Sequence, residues 1–324
     1  MKFLTTLLSA VVFAASAFAQ ADPGACSGQC WSHDPSVIRR ASDGVYFRFE
    51  TGSLIGIWKA GDLTGPWEYQ GAAIPGGSSI PLEGNDDLWA PDVHLVGDTY
   101  ILYYTVSSFG VQDSAIGYAT SPTMEAGSWT DHGSTGVSSS AGSAYNAIDG
   151  NLIQDASSGA YSLTFGSFWT DIFQVPMSSD ATTSAGTPFN IAFNSTGEHA
   201  LEGPFVHYRQ GYYYLFFSSG ICCGYDTNYP APGEEYKIYA CRSQGVGGPY
   251  VDRNGVSCVD GNGGTLVLGS HGSVFGPGGQ GILTDPNYGT VLYYHYANTN
   301  IGLGDGDYQF GWNTLSWSGG WPAV

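Results

Sequence analysis

The sequence predicts an all-β protein folded as a single-domain, five-bladed β-propeller. Three observations carry this. The composition, with 48 glycines, 15% aromatic and only 11% charged residues in 324, describes a turn-rich, aromatic β chain. Five strand-like runs share one plan, a turn glycine followed by an aromatic-rich strand. Ahead of each run stands a short segment in which a polar or small residue precedes two or three apolar ones.

The pairs follow one another along the chain. Asp34-Pro-Ser-Val-Ile precedes Gly44-Val-Tyr-Phe-Arg-Phe-Glu, and Pro91-Asp-Val-His-Leu precedes Gly97-Asp-Thr-Tyr-Ile-Leu-Tyr-Tyr. Asp149-Gly-Asn-Leu-Ile precedes Gly159-Ala-Tyr-Ser-Leu-Thr-Phe, and Glu202-Gly-Pro-Phe-Val precedes Gly211-Tyr-Tyr-Tyr-Leu-Phe-Phe. Gly279-Gln-Gly-Ile-Leu precedes Gly289-Thr-Val-Leu-Tyr-Tyr-His after Cys-rich and Gly-rich insertions. Counted on Asp34, Asp92, Asp149 and Glu202, the first four recur at intervals of 58, 57 and 53 residues. Units of about 40–55 residues built from short strands are the mark of propeller blades. A β-sandwich would leave the polar residue at the same place in each unit unexplained.

Lys2, the apolar run Phe3 to Phe18 and the small-residue end Ala17-Phe18-Ala19 read as a secretory signal peptide, residues 1–19. The catalytic domain is then 20–324, in a secreted, extracellular protein. No later apolar run approaches the roughly 20 residues needed to cross a bilayer, so no membrane is expected as partner. The formal net charge of −19 excludes nucleic acid, whose phosphates need a basic surface.

Asp149 opens the question of function. Read alone, Asp149-Gly150 suits a tight hairpin turn as well as a site. In a propeller, however, the first strand of each blade lines the axis, and residues at the same end of those strands meet in one funnel. Asp34, Asp149 and Glu202 are expected there from blades one, three and four. Carboxylates gathered round one cavity raise one another's pKa, which a purely structural protein avoids. Glycoside hydrolysis needs such a set: a protonated acid for the leaving oxygen and an ionised carboxylate on the other side of the sugar.

The motifs His33-Asp34-Pro-Ser-Val, Leu88-Trp89-Ala-Pro-Asp92, Asn146-Ala-Ile-Asp-Gly-Asn-Leu152, Phe165-Gly-Ser-Phe-Trp169, Leu201-Glu-Gly-Pro-Phe205 and Gly269-Ser-His-Gly-Ser-Val-Phe resemble, in order, those of the arabinanases of glycoside hydrolase family 43. The secreted fungal endo-1,5-α-L-arabinanases are the nearest group. The resemblance implies a five-bladed propeller and an inverting hydrolase that cuts internal α-1,5-L-arabinofuranosidic bonds. Its partners would be linear arabinan and arabino-oligosaccharides, and it would act as a monomer. By position it implies Asp34 as general base, Glu202 as general acid and Asp149 as the residue that orients the acid and tunes its pKa. Gly150 stands where many relatives have Pro.

The same resemblance puts Trp89 and Phe109 in the substrate groove, where an aromatic face suits the apolar side of a sugar ring. Asn146 and Ser167 are weaker candidates for hydrogen bonds to sugar hydroxyls. It also places His271 near the central channel, holding a metal ion, often calcium, largely through waters. From chemistry alone a single His is a hydrogen-bonded structural residue, since calcium prefers oxygen ligands.

Six cysteines, Cys26, Cys30, Cys222, Cys223, Cys241 and Cys258, suit an oxidising destination. Cys26 with Cys30 and Cys241 with Cys258 would close small loops. The neighbours Cys222 and Cys223 are expected as thiols or with separate partners, because a bond between adjacent cysteines is strained. Asn194-Ser-Thr is an N-glycosylation acceptor.

Three alternatives compete. An exo-acting arabinanase, or a family 43 xylosidase or arabinofuranosidase, would share the carboxylates. A sugar-binding propeller would use the aromatic groove but not the acids. The five-bladed enzymes that act on fructosides carry an Arg-Asp-Pro segment, which this chain lacks.

Overall fold

Each glycine-aromatic run pairs antiparallel with the segment ahead of it, forming the five hairpins that the sequence predicts. The structure, a computed structural model, describes residues 20–324, so the expected leader lies outside the described residues. Blade 1 comprises strands Ser36–Arg39, Tyr46–Glu50, Gly56–Ala60 and Glu68–Ala72. Blade 2 comprises Trp89–Val96, Thr99–Val106, Ser114–Ser121 and Thr130–Ser139, and blade 3 Asn151–Gln154, Tyr161–Phe165, Ile172–Pro176 and Phe189–Ala192. Blade 4 comprises Leu201–Arg209, Tyr212–Ser219, Lys237–Ser243 and Thr265–Leu268, and blade 5 Val274–Asp285, Gly289–Asn298 and Tyr308–Thr314. First strands of neighbouring blades pack against one another around the axis, closing the ring from blade 5 back to blade 1. Among the described residues no helix is long and apolar enough to cross a membrane.

The aromatic second strands owe their unbroken apolar character to burial on both faces. In Tyr212–Ser219, Tyr214 and Phe216 enter a core shared with Leu292 and Tyr294 of blade 5. The alternate residues Leu215 and Phe217 enter a different core, with Ile172 and Ile191 of blade 3. Thr99–Val106 divides in the same way: Leu102 and Tyr104 pack with Phe47 and Phe49, whereas Ile101 and Tyr103 pack with Leu163 and Phe165. A strand with period-2 side chains and two dry faces has no solvent side to make polar.

Blade 5 has only three strands of its own, and the N-terminal segment completes it. Gly24 N–H donates to Trp312 O (2.7 Å), Phe310 N–H to Cys30 O (2.8 Å) and Ser32 N–H to Tyr308 O (3.2 Å). Arg48 secures this seam. Its guanidinium is fully buried over the rings of Trp58, Trp67 and Phe310, pairs with Glu50 and donates to Gln29 O and Trp31 O.

The repeat has a backbone signature that differs from the register read from the sequence. At the mouth of the five first strands, Asp34, Ala90, Asp149, Gly203 and Gly279 all adopt positive φ, between 43° and 59°. Glu202 stands one residue before this position and Asp92 two after it. The cause is a register shift at the mouth of blades 2, 4 and 5, between Trp89 and Asp92, Glu202 and Phe205, and Gly278 and Gly281. A bulge re-aims a side chain without altering the pairing beyond it. Asp92 is accordingly a staple between blades. Its Oδ2 accepts from Leu152 N–H (2.9 Å), as Ser36 Oγ accepts from Val93 N–H (3.1 Å) and Asn151 Oδ1 from Val206 N–H (2.8 Å).

All six cysteines are paired, as Cys26–Cys30, Cys222–Cys223 and Cys241–Cys258. The bond between the neighbours departs from the expectation of separate thiols. Their dipeptide is gripped from both sides: Tyr308 donates its hydroxyl to Cys222 O (2.8 Å), and Gly224 N–H donates to Asp305 Oδ1 (2.8 Å). Asn194 lies in a surface turn in which Thr196 donates N–H (3.0 Å) and hydroxyl (2.6 Å) to its Oδ1.

Candidate active site

A cavity of about 1080 Å³ opens at the mouth of the propeller and is lined from all five blades. It brings together seven of the residues singled out in the sequence: Asp34, Asp149, Glu202, Trp89, Phe109, Asn146 and Ser167. His271 is not among its walls.

Asp34 is held on every side but one. Its Oδ2 accepts from His33 Nδ1 (2.9 Å) and from Thr51 Oγ1 (2.8 Å), and its backbone N–H donates to His295 Nδ1 (3.0 Å). Burial would raise its pKa, but His33, by charge and hydrogen bond, holds it well below the ordinary carboxylate value. The other oxygen, Oδ1, lies over Gly279, where a Cβ would come within 2.5 Å of it. Asp34 is therefore held toward its ionised form, with Oδ2 fixed by two donors and Oδ1 lying 3.4 Å from His295 Nδ1 in the cavity wall.

The other two acids are set the opposite way. Burial, and then the charges of Glu202 and Asp34, push Asp149 well above the carboxylate range. Its Oδ2 accepts from Gly203 N–H (3.0 Å), the amide that follows Glu202. Burial also raises Glu202, against hydrogen bonds from Ser167 and Tyr236 and with help from Asp34. Asp149 and Glu202 are thus biased toward the protonated form and Asp34 toward the ionised one. Like charges crowded into one cavity oppose one another's ionisation.

Ser167 and Tyr236 account for both oxygens of Glu202. Ser167, expected to meet sugar hydroxyls, instead donates to Glu202 Oε2 (2.5 Å) and is almost fully buried. Tyr236 donates to Oε1, and burial, with the carboxylates around it, keeps its phenol protonated well above its ordinary pKa. Tyr236 was not foreseen. It belongs to the insertion after blade 4's second strand, outside any repeat, and its ring fits because Gly278 has no Cβ, which would lie 2.1 Å away. Asn146 uses its Oδ1 to accept from Ser114 (2.7 Å), which leaves its amide NH₂ as the group it offers to the cavity. Phe109 is 85% exposed, and Trp89 is half-buried with its indole N–H on Asp87 Oδ2 (3.2 Å).

The surroundings of His271 do not fit a metal ligand. Nδ1 faces Gly269 O (2.9 Å) and Nε2 faces Ala21 O (3.2 Å), so both ring nitrogens meet backbone carbonyls. Among the described residues, the cluster whose ligand atoms approach within 4.8 Å is His33, Asp34 and His295. Most of these atoms are engaged with one another. The exception is His295 Nε2, which is buried without a partner among the described residues. Its Nδ1 accepts from Asp34 N–H, so the single proton of the neutral ring lies on Nε2, and the residues present do not fit a metal ligand there either.

With the geometry described, similarity to known proteins becomes informative. Over 324 residues, all of this chain and all of the relative, the sequence is 57% identical to arabinan endo-1,5-alpha-L-arabinosidase A of Aspergillus niger. The native arabinanase of Bacillus subtilis superposes with a TM-score of 0.81 at 33% identity, covering 94% of this chain and all of that one. The α-L-arabinanase of Cellvibrio cellulosa complexed with arabinohexaose superposes with a TM-score of 0.78 at 28% identity, covering 94% and 96% of the two chains. Residues 29–322 match the glycosyl hydrolases family 43, and the chain belongs to that family.

Proposed function

We propose that this chain is an inverting endo-1,5-α-L-arabinanase, secreted and acting on linear arabinan and its oligosaccharides as a monomer. The observation that carries the reading is the split between its carboxylates: Asp34 is held ionised, and Glu202 and Asp149 are pushed up. Asp34 Oδ1 takes a proton from a water as that water attacks the anomeric carbon. Glu202 donates its proton to the departing glycosidic oxygen, oriented by Ser167 and Tyr236. Asp149 fixes the strand of the acid through Gly203 N–H, and burial and the charge of Glu202 oppose its ionisation. The full-length similarity to a relative named for endo action supports internal cleavage, and three disulfides suit an oxidising exterior.

The test combines product analysis with two variants. Linear arabinan should yield a ladder of oligomers, and proton NMR should show the β-anomer first. Glu202→Ala should keep more activity on an aryl arabinoside than on arabinan, because a good leaving group needs little proton donation. Asp34→Ala should lose both. The α-anomer appearing first would make the mechanism retaining and remove Asp34 as base.

A further inference from the structure

The Cys222–Cys223 disulfide forms part of the cavity wall, and its place beside His33 assigns it a role. His33 belongs to a triangle of rings. It stacks on Tyr308 (5.5 Å between centroids, 5° between planes) and meets His295 (4.5 Å, 30°), and those two rings are themselves 5.3 Å apart. Nδ1 reaches Asp34 (2.9 Å), and the remaining edge, Nε2, meets Cys223 Sγ at 3.8 Å. Tyr308, which stacks on the imidazole, also grips the disulfide by donating to Cys222 O. The disulfide, the stacked rings and the carboxylate are therefore one connected unit.

Burial lowers the pKa of His33, but Asp34 outweighs it and raises it. In the neutral ring that forms above it there is a single N–H, and the partner at each nitrogen decides where it sits. Water or a hydroxyl at Nε2 could accept a proton there, leaving the Nδ1 lone pair against the Asp34 carboxylate. A disulfide sulfur carries no hydrogen, accepts poorly and excludes water from that edge. We propose that the Cys222–Cys223 disulfide is a positioning element for Asp34, keeping His33 as an Nδ1–H donor to the carboxylate. This rests on the reading of Asp34 as the base.

A double-mutant cycle between the disulfide and His33 tests it. Cys222→Ala/Cys223→Ala should lower kcat on arabinan by about 10-fold, with KM changed less than about 2-fold, a part of what a general base supplies. His33→Asn keeps an amide donor near the Nδ1 position and has no Nε2 edge. In that background, removing the disulfide should change kcat by less than about 2-fold. Additive effects, or wild-type kcat in the double alanine variant, would overturn the proposal. If the alanines prevent folding, Cys222→Ser/Cys223→Ser runs the same cycle with a hydroxyl brought to Nε2, and the same coupling is expected. Asp34→Asn separates the two readings. If it turns over arabinan at the wild-type rate, the base assignment has failed; if it is inactive while the cycle is additive, only the role of the disulfide has failed.

Discussion

Tyr236 donates its hydroxyl to Oε1 of Glu202, from a loop that no repeat of the chain contains. A donor favours the ionised carboxylate, so this bond lowers the pKa of an acid that burial raises. Tyr236→Phe should therefore move the basic limb of the kcat/KM profile upward. A hydrogen bond to a charged group contributes about 1.5–3 kcal/mol, so kcat should also fall by roughly 10-fold or more. A limb that stays in place would show that the phenol does not bear on the acid.

Gly279 offers a sharper test of the base. A Cβ there would lie 2.5 Å from Asp34 Oδ1 and 2.7 Å from His295 Nδ1. Gly279→Ala should cut kcat by about 100-fold, as displacement of a reacting group does. Gly289→Ala is the control. It has a similar positive φ (76°) with nothing within 4 Å of the added carbon, so it should share the backbone cost and keep wild-type kcat.

The two groove aromatics should act on substrate binding more than on folding. Phe109 is exposed, so Phe109→Ala should raise KM by about 5-fold, the effect of losing roughly 1 kcal/mol of stacking, and leave Tm unchanged. Trp89→Ala should do the same with at most a small fall in Tm, both followed by steady-state kinetics and calorimetry.

Asp171 predicts a pH dependence of stability. It is fully buried at the turn that carries Phe168 and Trp169 to the cavity rim, and burial pushes its pKa from 3.8 to about 8. The folded form keeps a proton that the unfolded chain releases between those values. Its contribution to stability therefore declines as pH rises from 3.8 to about 8, by roughly 1.4 kcal/mol per unit. Asp171→Asn should flatten that slope and raise Tm at neutral pH, measured by thermal melts across the range.

The blades were legible because five copies of one hairpin plan make the same hydrophobic demand. The meeting of Asp34, Asp149 and Glu202 followed from it. What escaped was decided by backbone detail or by unrepeated segments. A bulge moved Glu202 out of the register of Asp34, which counting carboxylates cannot reveal. Tyr236 and the bonded Cys222–Cys223 lie in an insertion with no counterpart in the other blades. Ser167 was correctly placed at the cavity, yet the partner of its hydroxyl depends on a rotamer, which only the structure supplies.

The seam at blade 5 has a mechanical consequence. Gly24 and Ser32 are sewn to residues more than 270 positions away, and nothing covalent locks that stitch. Tension, heat or a protease acting at the amino end would open the ring there first. The strand thereby loosened neighbours the one that carries His295, and His295 holds the amide of Asp34. Catalysis would fail while the cores between blades 2, 3 and 4 stayed intact, so the enzyme would fall silent well before it melts.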